Sequence, residues 1–253
     1  MDWVWKAMLT ALSVVVLTRV GQRAGRQVAG MLAALPTTTG PSLLWLADEH
    51  GSAFAAHSAI ASVGACAMLA AFALAYAHAA RRRGALAALG IALGACAIAA
   101  LPATAASVSL ASSAGLALAA VAIASRALPR GLPEALGAAP LPASVCGLMS
   151  GALAGLAAAA SPVLGSLGSG ILASMPVTGA ALAANAHVAR GAGGARHFLG
   201  GYVRGLFARA AFGAVFALGV SPCGAWVAAG LASLAAMALA MVGPRAGTAA
   251  NAR

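Results

Sequence analysis

Arg204 and Arg209 lie inside residues 197–219, an apolar run long enough to span a membrane. Counted from Arg196 at the edge of that run, Arg209 is 13 residues in, or about 20 Å at ~1.5 Å per residue. A guanidinium at that depth is costly in lipid and normally faces the bundle interior or an aqueous cavity. Arg204 is one to two turns shallower and can snorkel toward the interface. The chemistry on offer is recognition of an anion through charge-assisted hydrogen bonds. A structural role for Arg209, capping a helix end or bracing backbone carbonyls, is the competing reading.

The second group is Pro36, Thr37, Thr38, Thr39, Gly40 and Pro41, within the apolar run 25–47. It returns in weaker form as Pro176, Thr178 and Gly179, within 165–187. A proline followed by Thr and Gly in mid-run reads as a membrane helix broken halfway. Such a break frees N–H and C=O groups that lipid cannot satisfy, so they must face protein, water or a solute. The N-terminus of the following half-helix presents oriented donors to an anion. A plain structural kink is the bland alternative. At an offset of 140, Gly25 falls on Gly165, Gly30 on Gly170, Leu32 on Leu172, Pro36 on Pro176, Thr38 on Thr178, Gly51 on Gly191 and His57 on His197. Breaks in corresponding places are a sequence-level pointer to a transporter site.

The remaining polar residues carry less. Asp48 and Glu49 form an acidic pair in a loop or span mouth, either solvated or guarding the outer entrance. His57 and His197 start their spans and read as interfacial caps or proton relays, since histidine titrates near neutral pH. Asn185 and His187 sit near the end of the seventh span as weak binding candidates. Trp3, Trp5, Trp45 and Trp226 fall near span ends, as interface anchors do. Cys66, Cys96, Cys146 and Cys223 are singletons, expected as small packing residues. No Ser/His/acid grouping, phosphate-cradling loop or metal-ligand spacing appears, so neither an enzyme, a cofactor nor a metal is expected.

The elements that must position these residues follow from composition. Of 253 residues 62% are hydrophobic and 8% charged, against about 25% charged in an ordinary soluble domain. The chain lacks the polar surface to cover a globule in water and reads as an all-α polytopic membrane protein. Its net charge of +11 sits in short arginine runs between apolar segments, which mark topology rather than nucleic-acid binding. The partners expected are therefore the lipid bilayer and a small polar solute.

About nine transmembrane helices are expected, over 3–20 (retained rather than cleaved), 25–47, 52–78, 84–101, 104–126, 143–160, 165–187, 197–219 and 222–243. The fourth stops at Pro102, and Pro129, Pro133, Pro140 and Pro142 punctuate the linker after the fifth. Gly147, Gly151 and Gly155 give the sixth a close-packing face. Nine crossings gather Arg19, Arg23, Arg26, Arg81, Arg82, Arg83, Arg126, Arg130, Arg190, Arg196, Arg245 and Arg253 on one face, with Lys6 opposite. That asymmetry sets the N-terminus out and the C-terminus in. The first and sixth spans are equivalent yet five crossings apart, so the repeats are inverted. The expected organisation is 1–101 as the first repeat, 102–142 as connecting helix and loop, and 143–253 as the second repeat.

Each four-span half resembles the GlpM-type small inner-membrane proteins. The shared pattern is an apolar first span, Arg19 to Arg26, Ala29-Gly30-Met31-Leu32 through Leu35-Pro36, Leu43-Leu44-Trp45-Leu46, and the turn Asp48-Glu49-His50-Gly51. The resemblance covers 3–101 and more faintly 143–241, and implies a bacterial-type inner-membrane protein without supplying a substrate. Two functions fit. One is a secondary carrier for a small polar solute, more readily anionic than cationic, bound between the broken helices near Arg209. The other is a non-transporting accessory subunit of an envelope-polymer or lipid-handling complex.

Overall fold

Alanine and leucine, the strongest helix formers, fill the apolar runs, and the described residues form helices and turns with no strand. The computed structural model describes residues 39–106, 109–128 and 165–242, with isolated positions between 8 and 19 and between 142 and 163. The expected first and sixth spans and most of the Pro-rich linker lie outside the described residues. In chain order the helices are α1 (Thr39–His50), α2 (Ser52–Ala79), α3 (Ala85–Ala106), α4 (Leu110–Ala127), α5 (Val177–Cys223) and α6 (Ala225–Val242). Residues 165–172 form a further helical stretch before α5.

Four helices are long and apolar enough to cross a membrane: α2, α3, α4 and α5. They divide sharply by burial. In α2, 78% of the spanning window is buried, against 17% in α3, so α2 is the axis of the bundle and α3 its wall. The wall helices reverse the pattern of a soluble protein. α3 turns Ala88, Ala92 and Cys96 inward and leaves Leu86, Ile91, Ile98 and Leu101 exposed. α6 does the same with Ala228, Ala232 and Ala236 inside and Trp226, Leu231, Leu234 and Met237 outside. Small residues let helix backbones approach, and the bulky apolar ones suit lipid. This is an α-helical membrane fold.

Glycine adopts backbone that other residues would strain at four described positions, two of which shape the central helices. Gly51 (φ 85°) turns the chain from α1 into α2. Gly191 (φ 66°) kinks α5 into two limbs, 177–190 and 192–223. Both need the left-handed region, where a Cβ is penalised. They stand 140 residues apart.

α2 and the 192–223 limb pack antiparallel. A Cβ on Gly213 would come within 2.7 Å of Val63 Cγ2 and 3.1 Å of Ser62 Oγ, whereas Arg209, four residues earlier, acts electrostatically on Cys66, four residues later. The shorter elements then cross over. The 177–190 limb joins the core of α2 through Ala180 and Ala183, together with Phe72 and Tyr76. α1 joins the core of the 192–223 limb through Leu43 and Leu46, with Phe212 and Phe216. α4 packs on α2 and α5.

Several boundaries differ from the sequence expectation. α3 runs through Pro102 to Ala106 instead of stopping there. A proline so near a C-terminus forfeits a single ladder bond, and Thr104 Oγ1 donates to the Leu101 carbonyl at 2.7 Å. α4 starts at Leu110 rather than 104 because Ser109 caps it, accepting from the Ser112 N–H. The eighth span begins directly after Gly191, not at 197. Trp45 is 5% exposed, a core residue and not an interface anchor, whereas Trp226 is exposed.

Candidate functional site

Arg209 is 6% exposed. Its Nη2 donates to Thr39 Oγ1, and Thr39 Oγ1 donates in turn to the Ala173 carbonyl at 3.3 Å. This short chain joins three separate pieces of backbone: the 192–223 limb, the first turn of α1, and the segment that precedes α5. Arg209 Nε is buried with no hydrogen-bond partner among the described residues. Among those residues the acids are Asp48 and Glu49, both exposed at the other end of α1, about 14 Å from Thr39 at ~1.5 Å per residue. Neither reaches the guanidinium.

The local backbone follows from the prolines. Residues 165–172 are helical, 173–176 are not, and Pro176 is the N-cap of α5 with no side-chain capping bond. Proline cannot continue the preceding ladder but suits the start of the next helix. Ser174 N–H and Met175 N–H close tight turns on the Ile171 and Leu172 carbonyls at 2.9 and 3.1 Å. The Ala173 carbonyl is the group that Thr39 reaches. Among the described residues α1 runs from Thr39, with Pro41 two residues on. The N-terminus of α5 and the Thr39 end of α1 are thereby tied, through Thr39, to one buried guanidinium.

Aromatic rings pack against the small residues of both first turns. The Phe212 ring lies so near Gly40 that an added Cβ would sit 3.4 Å from it. Gly179 is tighter, since a Cβ there would be 2.7 Å from the Tyr202 ring. Tyr202 and Cys66 lie within electrostatic reach of Arg209. One turn before Ala173, the Ser169 hydroxyl is wholly buried and has no partner among the described residues.

The sequence candidates separate accordingly. Thr39, Gly40, Pro176 and Gly179 are buried, with Thr39 and Gly40 beside Arg209 and Phe212 of α5. Pro41 is half-buried in the same first turn. Thr39, Gly40 and Pro41 are helical. Pro36, Thr37, Thr38 and the side chain of Thr178 lie outside the described residues. Arg204 is half-buried, and five residues on a helix rotate it about 140° from Arg209's face. His57 is exposed and its ring nitrogen donates to the Ala53 carbonyl of its own helix at 3.0 Å. His197 and Asn185 are half-buried on the two limbs of α5, outside the hydrogen-bond chain through Thr39. Cys66 and Cys96 are buried packing residues, but Cys223 is exposed.

Sequence reasoning missed Ala173, Ser169 and Tyr202. Ala173 acts through its backbone, which no side-chain motif announces. Ser169 and Tyr202 are single polar residues in apolar helices, a signal that was present and unused. The arrangement offers a buried cation with no acid beside it among the described residues, backbone donors at the start of α5 and hydroxyls, all of which favour a negatively charged group. Comparison of the chain with protein-family models, curated proteins and solved structures gives no match.

Proposed function

We propose that this protein is a membrane carrier for a small anionic solute, which binds where the first turn of α1 and the start of α5 meet Arg209. The observation that carries the reading is the buried, partly unpartnered guanidinium with no acid in reach among the described residues. A structural strut would be expected to spend its donors on protein carbonyls. Here Nε is left over, and an oxyanion is the ligand it fits.

The carrier reading includes two inverted repeats with broken second helices and nine crossings. Its support is the 140-residue separation of Gly51 and Gly191, the antiparallel packing of α2 on the 192–223 limb, and the matched wall helices α3 and α6. α2 and the 192–223 limb contribute to both buried cores, α1 adding to one and the 177–190 limb to the other. Alternating access would be a rocking of one half against the other around the Arg209 site. The proposed orientation is N-terminus out and C-terminus in, in a bacterial-type inner membrane. Reporter fusions after Arg83 and after Glu49 are expected to read opposite sides, the first cytoplasmic. A shared side would remove the inverted repeat.

The test of function is thermal unfolding of the purified protein with sulfate, phosphate, acetate and chloride as probes. An anion at about 100 times its Kd stabilises by ~2.7 kcal/mol, or several degrees in Tm for a chain of this size. At least one oxyanion is expected to stabilise the protein while matched cations do not. If the anions leave Tm unchanged and a lipid headgroup alone stabilises it, an accessory, lipid-handling role replaces the carrier.

A further inference from the structure

A second buried polar pair lies away from Arg209. His187 is 9% exposed, near the end of the 177–190 limb, and Tyr76 is fully buried near the end of α2. Tyr76 Oη is 3.4 Å from His187 Nδ1, and the rings meet edge to face with centroids 5.9 Å apart. The same hydroxyl also reaches the Ala85 carbonyl, at 3.5 Å. At the offset of 140, Tyr76 corresponds to Phe216 and His187 to Ala47. Phe216 is fully buried all the same, so packing alone does not require a polar pair.

We propose that Tyr76 and His187 form a proton-binding site, and that the proton held there is the ion coupled to anion movement. The second clause rests on the carrier reading; the first does not. The hydrogen bonds accommodate both states. With neutral imidazole, the Tyr76 hydroxyl donates to the Nδ1 lone pair. When a hydronium ion gives its proton to Nδ1, the imidazolium N–H donates to Tyr76 Oη, and the hydroxyl proton turns to the Ala85 carbonyl. One N–H bond forms, one water is released, and Nδ1 and the Tyr76 hydroxyl keep a partner in both states.

The elements around the pair supply no counter-charge. Arg190 follows three residues on along the same limb, α2 adds the exposed His78, the turn between Tyr76 and Ala85 adds the exposed Arg81, Arg82 and Arg83, and α3 carries no charged residue. α4 carries Arg126, exposed in its last turn, and the 192–223 limb carries Arg196, His197 and Arg204 in its first turns. No described residue of these elements is acidic. The pair ties α2 to a limb whose other end, Pro176, begins eleven residues away beside Ala173. A proton bound here and an anion bound at Arg209 therefore bear on the two ends of one short helix. Together they also move less net charge across the membrane than the anion alone.

The test uses the full-length protein labelled with 15N-histidine in detergent, the His187 signals being assigned by their loss in His187→Gln. Those signals are followed in the folded protein from about pH 8 down to about pH 5; a reversible gain of the imidazolium pattern is expected, and Tyr76→Phe is expected to alter it. Constant His187 signals across that range in the folded protein would overturn the proton site. Coupling is read by calorimetry of sulfate or acetate binding in two buffers of different ionisation enthalpy. The native protein is expected to take up protons with the anion, and His187→Gln or Tyr76→Phe to lose much of that uptake while still binding. Anion binding without proton uptake in the native protein overturns the coupling and leaves the anion site standing. A titrating His187 in a protein that binds neither anion overturns the carrier reading, and the coupling with it.

Discussion

Arg209→Leu is expected to abolish anion binding while leaving a folded protein. Truncating one partner of a buried, hydrogen-bonded charge pair costs about 2–5 kcal/mol, a loss of affinity of roughly 30-fold or more. Stability should hold or rise, because the substitution removes a buried cation that no described acid compensates. Arg209→Lys keeps the charge but loses the planar fork, and should bind the anion weakly. The strut alternative makes the opposite forecast. If Arg209 mainly braces Thr39 and, through it, Ala173, leucine lowers Tm and lysine restores part of it. Thr39→Val separates the two further, since it breaks the link to Ala173 and retains the guanidinium. Undiminished oxyanion binding by a well-folded Arg209→Leu protein would remove the anion site.

Gly170→Val should lower Tm more than any other glycine substitution in the described wall and axis helices. A Cβ at Gly170 would lie 2.2 Å from the Ser58 carbonyl oxygen and 2.9 Å from the Ala61 methyl. The obstruction is backbone of the central helix, which cannot rotate aside as a side chain can. The contact is also pinned, since Ser58 Oγ donates to the Ser166 carbonyl at 2.9 Å. Overpacking a tight core typically costs 1–3 kcal/mol, occasionally more, or about 2–12 °C for a chain of this length. Gly230→Ala on α6 is the control, because nothing lies within 4 Å of its would-be Cβ. Detergent-resolved unfolding curves compare the two. Equal Tm values would mean that 165–172 does not seat on α2 at Gly170. Anion binding should also fall in Gly170→Val, because the same stretch delivers the Ala173 carbonyl to Thr39.

Much of the architecture was legible because lipid imposes it on sequence directly. Long apolar runs must be helices to satisfy their backbone, and α2 begins and ends within a residue of its expected span. Proline and glycine punctuate locally, so the non-helical 173–176 and the turns at Gly51 and Gly191 follow residues visible in the chain. Where boundaries slipped, another local bond had overruled the proline, as at Pro102, or a cap had set the start, as at Ser109.

Depth along a helix was equally readable. Counting residues set Arg209 deep in an apolar run, and the energy of a charge in lipid required it to turn inward, where it lies. Its partners were another matter. Thr39 is 170 residues away in the chain and Ala173 takes part through its carbonyl alone, so only the crossing of α1 over the 192–223 limb could bring them together. The Tyr76–His187 pair has the same origin, 111 residues apart and joined by the packing of the 177–190 limb into the core of α2. Composition, periodicity and punctuation act over one or two turns of chain, so the sequence by itself determined the helices, the turns and the inward-facing charge. Which hydroxyl, carbonyl or ring meets that charge depends on how separate helices cross, and only the tertiary structure decided it.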